Sequence, residues 1–201
     1  MGDRDFQMQE GRPEDMNFIR QRLAAELMNP LFLDARNFLV VKREEAKSPA
    51  AEVGATQVPP TGLTGAPVAF GQVRPLSGER TPVYELASLY VEKPFRGRGL
   101  GTWLLKSLVE RHKAENGDAP LFLLTLRGTI PFYERQGWRC VGRHKDLGGV
   151  ATPDSTKAIE TKKDAAAEEG LPKQLEVQIF LGNLIAGVAR QEEVVCMKFD
   201  K

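Results

Sequence analysis

At 201 residues, of which 41% are apolar, the chain holds enough material for one domain with a real core. Its 28 Lys and Arg nearly balance 27 Asp and Glu, leaving a net charge of +1, so no general field favours nucleic acid and anion recognition has to be local. No apolar run approaches the ~18 residues that span a bilayer, so neither a nucleic-acid nor a membrane partner is expected.

The first ten residues hold Asp3, Asp5 and Glu10 without an apolar stretch, which reads as neither a signal nor a transit peptide. Cys140 and Cys196 stand in apolar, strand-like runs. Two cysteines make no disulfide framework, and both read as small hydrophobes in a reducing compartment. A cytoplasmic protein is the expectation, with organellar import of a longer precursor left open.

Pro13 to Met28 reads as a helix. Pro13 suits its first position, Met16, Ile19, Leu23 and Leu27 recur at helical spacing, and Asn29-Pro30 stops it. Asn37 to Val41 is a short strand. From Lys42 to Pro67 the composition turns to Ala, Pro, Gly and Thr without periodicity, as expected of a flexible insertion. Val68–Arg74 and Val83–Val91 read as strands joined by a turn at Ser77-Gly78. A glycine-rich segment then leads into a helix from Thr102 to about Lys113, with Leu100, Leu104, Leu105, Leu108 and Val109 on one apolar stripe.

Leu121 to Leu126 has the continuous apolar look of a strand buried on both faces. A short helix over Pro131 to Gln136 passes through Gly137 into a strand, Trp138 to Val141. Arg143 to Gly170 reads as a second flexible, charged insertion. Leu171 to Ala189 reads as a helix and Val194 to Phe199 as a last strand. The order predicts a mixed α/β sheet in a single domain over residues 1–201, its last elements completing that domain. His112 and His144 stand outside any cluster with metal-ligand spacing, so both read as surface residues and no metal is expected.

The segment Arg96-Gly97-Arg98-Gly99-Leu100-Gly101 lies between a strand and a helix. A helix N terminus offers free N–H groups and the positive end of a dipole, which suits a phosphate. Gly97, Gly99 and Gly101 let the backbone come close, because no Cβ intervenes. Arg96 and Arg98 can add charge-assisted hydrogen bonds, and Thr102 can cap the helix or add a hydroxyl contact. The segment fits neither the Walker pattern nor G-x-G-x-x-G, since its glycines are spaced G-x-G-x-G. A purely structural turn is the competing reading.

Arg96-x-x-Gly99-x-Gly101 resembles the Gln/Arg-x-x-Gly-x-Gly/Ala acyl-CoA signature of the GCN5-related N-acetyltransferases (GNAT). Pro131-Phe132-Tyr133-Glu134-Arg135-Gln136-Gly137-Trp138 is similar to a second segment of that family, in the same order and at about its spacing. The resemblance covers Asn37 to Val141 and extends to the first helix. It implies a mixed, mostly antiparallel sheet with helices on both faces, acetyl-CoA as cosubstrate, and transfer of acetyl to a primary amine by direct attack on the thioester. The amine, a small molecule or a protein lysine or N terminus, stays unidentified, and a monomer or homodimer is expected.

By the same resemblance, backbone of Leu89, Tyr90 and Val91 would bond pantetheine, while Arg98, Gly99, Gly101 and Thr102 would hold the pyrophosphate, beside Arg96 and Gly97 of the same turn. Tyr133 matches the tyrosine that usually donates a proton to the departing thiolate or hydrogen-bonds the CoA sulfur; the alternative is a packed aromatic with a bonded hydroxyl. Glu85 stands where many members place a general base, acting directly or through water, and its alternative is a glutamate on a polar strand face or paired with an arginine. The asparagine that many relatives carry after the buried strand is missing from Thr125-Leu126-Arg127-Gly128-Thr129. A non-catalytic acyl-CoA-binding module is the rival function.

Overall fold

The computed structural model describes residues 5–29, 33–43, 65–76, 81–143, 175 and 194–200. Among them are seven strands and three α-helices, divided between two units: Met1–Arg74 with Tyr84–Ala119, and Pro75–Val83 with Pro120–Lys201.

In the first unit, β1 (Phe6–Glu10) pairs antiparallel with β2 (Phe38–Arg43), Phe6 opposite Arg43 and Glu10 opposite Leu39. β2 pairs antiparallel with β3 (Pro67–Pro75), and β4 (Tyr84–Val91) lies beside β3. The Glu92 N–H donates to the Val68 carbonyl and Gln72 Nε2 donates to Ser88 Oγ, so β3 and β4 also run in opposite directions. β1 is an element beyond the sequence expectations. Its Phe-Gln-Met-Gln-Glu alternation buries Phe6 and leaves Gln7 and Glu10 exposed.

Pro13 opens a 3₁₀ turn, Pro13–Asp15, before α1 (Met16–Ala25) begins. The Asp15 carboxylate accepts from the Arg12 N–H at 3.1 Å and pairs with Lys42 Nζ at 2.7 Å, tying the start of α1 to β2. Met16, Ile19 and Leu23 form its inner stripe against Phe38, Val40, Phe70 and Tyr90. Fully burying a side chain of this size contributes about 1.5–3 kcal/mol. α1 ends at Ala25, three residues before the expected stop, and Leu27 then takes a left-handed φ of 53°.

α2 (Leu100–Asn116) covers the other face of the sheet. Phe70 points into the α1 core, whereas a Cβ on its neighbour Gly71 would meet Leu108 Cδ1 of α2 at 2.9 Å and Leu89 Cδ1 at 3.1 Å. Adjacent strand residues face opposite ways, so α1 and α2 lie on opposite faces, and Gly71 is what lets α2 sit close. The helix starts two residues earlier than expected and runs three residues further, to Asn116, with Gly117 at φ 61° after it. His112 is a correction: it is buried rather than on the surface. Its Nε2 bonds the Ala119 carbonyl at 2.9 Å, and its ring packs edge-on against Tyr84.

The second unit holds β5 (Leu121–Leu126), α3 (Ile130–Glu134), β6 (Trp138–Arg143) and β7 (Val194–Phe199). β7 lies between β5 and β6 and is antiparallel to both. Leu76, Val83, Phe122, Leu175 and Cys196 form its core cluster. Leu121 to Leu123 are buried as expected of β5, while Leu124 to Leu126 are half-buried. Trp138 packs edge-on against Tyr133 and Phe199. Of the expected helix Leu171–Ala189, only Leu175 lies among the described residues; it is helical and buried. His144 and both expected insertions, apart from their ends, lie outside the described residues.

Candidate functional site

The last residues of β4 and the glycine turn make one continuous structure. Leu89 faces Gly71, Tyr90 packs its ring 5.3 Å from that of Phe70, and Val91 ends the strand. Arg96 folds back: its Nε donates to the Val91 carbonyl at 2.9 Å and its guanidinium lies 5.7 Å from the Tyr90 ring centre. Arg98 rests over the ring of Phe95 at 5.8 Å. The Tyr90 hydroxyl donates to Glu92, which also pairs with Arg22 of α1. Burial, and then the charge of Glu92, pushes the Tyr90 phenol upward.

Gly97 and Gly99 hold φ values of 77° and 81°, where other residues are strained, and a Cβ at either would meet nothing within 4 Å. Gly99 is the N-cap of α2 and no side chain caps it. The opening N–H groups of the helix, at Leu100, Gly101 and Thr102, have no intrahelical acceptor, as in any α-helix. Thr102 is therefore a correction as a cap: it sits inside the first turn, leaving only its role as a hydroxyl contact. Open backbone, a helix dipole and two exposed arginines fit a pyrophosphate.

Glu85 lies lower on β4, buried in an ion pair. Arg74 Nε and Nη2 both donate to its Oε2, at 3.0 and 2.8 Å. Its position depends on a bulge. Tyr84 packs on His112 and Leu89 lies by Leu108, so both face α2 although they stand five positions apart, an odd number. Strict alternation would put them on opposite faces, so β4 contains one extra residue. Ser88, at φ 58°, supplies it. The bulge leaves Glu85 and Tyr90 on the α1 face together, beside Arg74 and Gln72.

Tyr133 belongs to the second unit, where α3 buries it between Phe132 and Trp138. Burial pushes its phenol up to about 12, offset by a hydrogen bond with Thr125. The group is a neutral O–H donor at ordinary pH. Arg74 and Thr125 are the partners that sequence reasoning did not assign. Thr125 carried a signal, as the one polar residue in Leu-Phe-Leu-Leu-Thr-Leu.

The acetyltransferase (GNAT) family model matches residues 21–138. No curated protein sequence matches the chain. Similar solved structures include N-acetylglutamate synthase from Neisseria gonorrhoeae complexed with coenzyme A and N-acetyl-glutamate, at 13% identity and TM-score 0.55 over 100% of this chain and 36% of that one. The NatC complex bound to Gag peptide and CoA is similar at 11% identity and TM-score 0.59, covering 98% of this chain and 99% of that one. Rv2747 of Mycobacterium tuberculosis, in complex with CoA, is similar at 16% identity and TM-score 0.54 over 97% and 99% of the two chains. This chain spans little more than a third of the synthase, and at such identities the likeness shows the fold. The family match covers over half of the sequence and contains both motifs, and the chain belongs to the acetyltransferase (GNAT) family.

Proposed function

We propose that the protein transfers acetyl from acetyl-CoA to a primary amine, of a small molecule or of a protein lysine or N terminus. The observation that carries this reading is the α2 N terminus, with Gly97 and Gly99 in left-handed conformations that keep the backbone open to a pyrophosphate. When bound, acetyl-CoA supplies an acyl thioester whose carbonyl carbon takes the amine nitrogen and whose sulfur departs. The turn Arg96–Thr102 holds the phosphates, and backbone of Leu89 to Val91 lines the pantetheine. Tyr133, kept protonated by burial, gives its proton to the leaving sulfur. Glu85 takes a proton from the incoming amine, directly or through water.

A second reading, a non-catalytic acyl-CoA-binding module, draws on one observation. Glu85 Oε2 is committed to Arg74 inside the core, the arrangement of a structural ion pair. Release of free CoA over a panel of primary amines separates the two. Catalysis predicts release with at least one amine class, and a fall in kcat of about 10²–10⁴ in Tyr133→Phe, the usual contribution of general acid catalysis. Binding of acetyl-CoA with no release for any amine would favour the module.

A further inference from the structure

Gln72 is 0% exposed, on the α1 face of β3 between Phe70 and Arg74. One end of its amide is engaged: Nε2 donates to Ser88 Oγ at 3.2 Å. The other end is not, because Oε1 is buried with no hydrogen-bond partner among the described residues. An unpaired acceptor in the interior costs stability that an apolar side chain of the same length would not. Packing alone gives no reason for a glutamine here, so the reason lies with what Nε2 holds.

Nε2 holds the left-handed residue of the β4 bulge. Ser88 sits at φ 58°, a conformation that residues with a Cβ resist. Contacts across the two strands place the extra residue beside it. Gln72 and Arg74 stand two positions apart on β3, whereas the residues they bind, Ser88 and Glu85, stand three apart on β4. Gln72 thus grips the bulge at its end, and Leu89 follows at once. The orientation of the Ser88 peptide unit sets the direction in which the Leu89–Val91 backbone continues.

We propose that Gln72 is a positioning residue for acetyl-CoA, which holds Ser88 left-handed through its hydroxyl and so presents the Leu89–Val91 backbone to the pantetheine arm. The proposal rests on the reading of that backbone as the pantetheine site. The hydrogen bond to Ser88 offsets the local strain, while the unpaired Oε1 lowers the stability of the whole. A side chain that weakens the fold and sharpens a site is expected at functional positions, where local rules of good packing are broken.

Calorimetric titration of acetyl-CoA into the full-length protein, with urea unfolding of each ligand-free protein, tests the proposal. Gln72→Met keeps the length of the side chain and removes both ends of the amide. Its urea midpoint should rise, because the unpaired acceptor is gone. Acetyl-CoA should bind it about 3–10-fold more weakly, the range of one net hydrogen bond. A residue that served packing alone would move stability and affinity in the same direction. Ser88→Gly tests the coupling, since glycine accepts the left-handed φ unaided but offers Gln72 no hydroxyl. Adding Gln72→Met to Ser88→Gly should weaken binding no further. Wild-type affinity in Gln72→Met, a fall in both stability and affinity, or a full loss repeated on the Ser88→Gly background would overturn the proposal. The cofactor reading fails separately: a folded wild type that binds no acetyl-CoA would sink that reading and this proposal with it, whereas binding unaltered by Gln72→Met would sink the proposal alone.

Discussion

Arg74 and Glu85 are each buried to a few per cent exposure, and two guanidinium nitrogens of Arg74, Nε and Nη2, converge on one carboxylate oxygen. Such a pair is a weak source of net stability, because desolvation offsets most of the attraction. Breaking it is another matter. Arg74→Met leaves a buried carboxylate without its cation, and we expect a loss of about 3–5 kcal/mol in urea unfolding. Replacing both residues, as Arg74→Met with Glu85→Leu, should recover most of that loss. A single variant as stable as wild type would show that the pair does not form.

Tyr133 gives the structure an alkaline signature. Its phenol is raised from 10.0 in the unfolded chain to about 12 in the folded one. The folded state therefore holds its proton where the unfolded state has lost it. The contribution is fully present below about pH 10 and is lost as pH rises through about 12. Within that window stability should fall by about 1.4 kcal/mol per pH unit from this group alone. Tyr133→Phe should remove that part of the slope in denaturant unfolding measured against pH. An identical slope in the variant would place the Tyr133 hydroxyl in water.

Leu27 follows α1 with φ 53° and 57% exposure, so it bears the strain of a left-handed residue without much burial in return. Leu27→Gly should relieve about 1 kcal/mol of that strain. A rise in unfolding midpoint by a few degrees is the expected result. A fall would mean that the contacts of the exposed leucine outweigh its backbone.

Where a run of side chains had a strong period or a helix-start signal, the sequence was legible. The α1 stripe Met16, Ile19 and Leu23, the β5 run and the turn before α2 all lie where their patterns place them. β1 was harder, because five alternating residues at a sheet edge are stable only once β2 is beside them. His112 was misread through its chemistry. It lies four residues after Leu108 on the buried stripe, and its phase on the helix, not its polarity, set its burial. Ser88 carried no signal at all: nothing in Tyr-Glu-Leu-Ala-Ser-Leu-Tyr-Val marks a left-handed residue, yet that bulge decides which face Glu85 and Tyr90 share. The Arg74–Glu85 pair depends on β3–β4 register, which side-chain period alone does not fix. Gly97 and Gly99 announced themselves, since only glycine adopts such φ values without strain.

The most direct test of acetyl-CoA recognition at the α2 N terminus is thermal unfolding with and without acetyl-CoA, in wild type and in Gly99→Glu. Gly99 sits at φ 81°, so the variant both strains the turn and sets a carboxylate where the phosphates would lie. Each protein is compared with its own ligand-free midpoint. At about 100 times the dissociation constant, ligand should stabilise wild type by roughly 2.7 kcal/mol. For a chain of this size that is a rise of about 5–10 °C, and it should vanish in Gly99→Glu. A folded wild-type protein with no rise, or a variant that rises as much as wild type, would contradict the assignment of the glycine turn as the cofactor site.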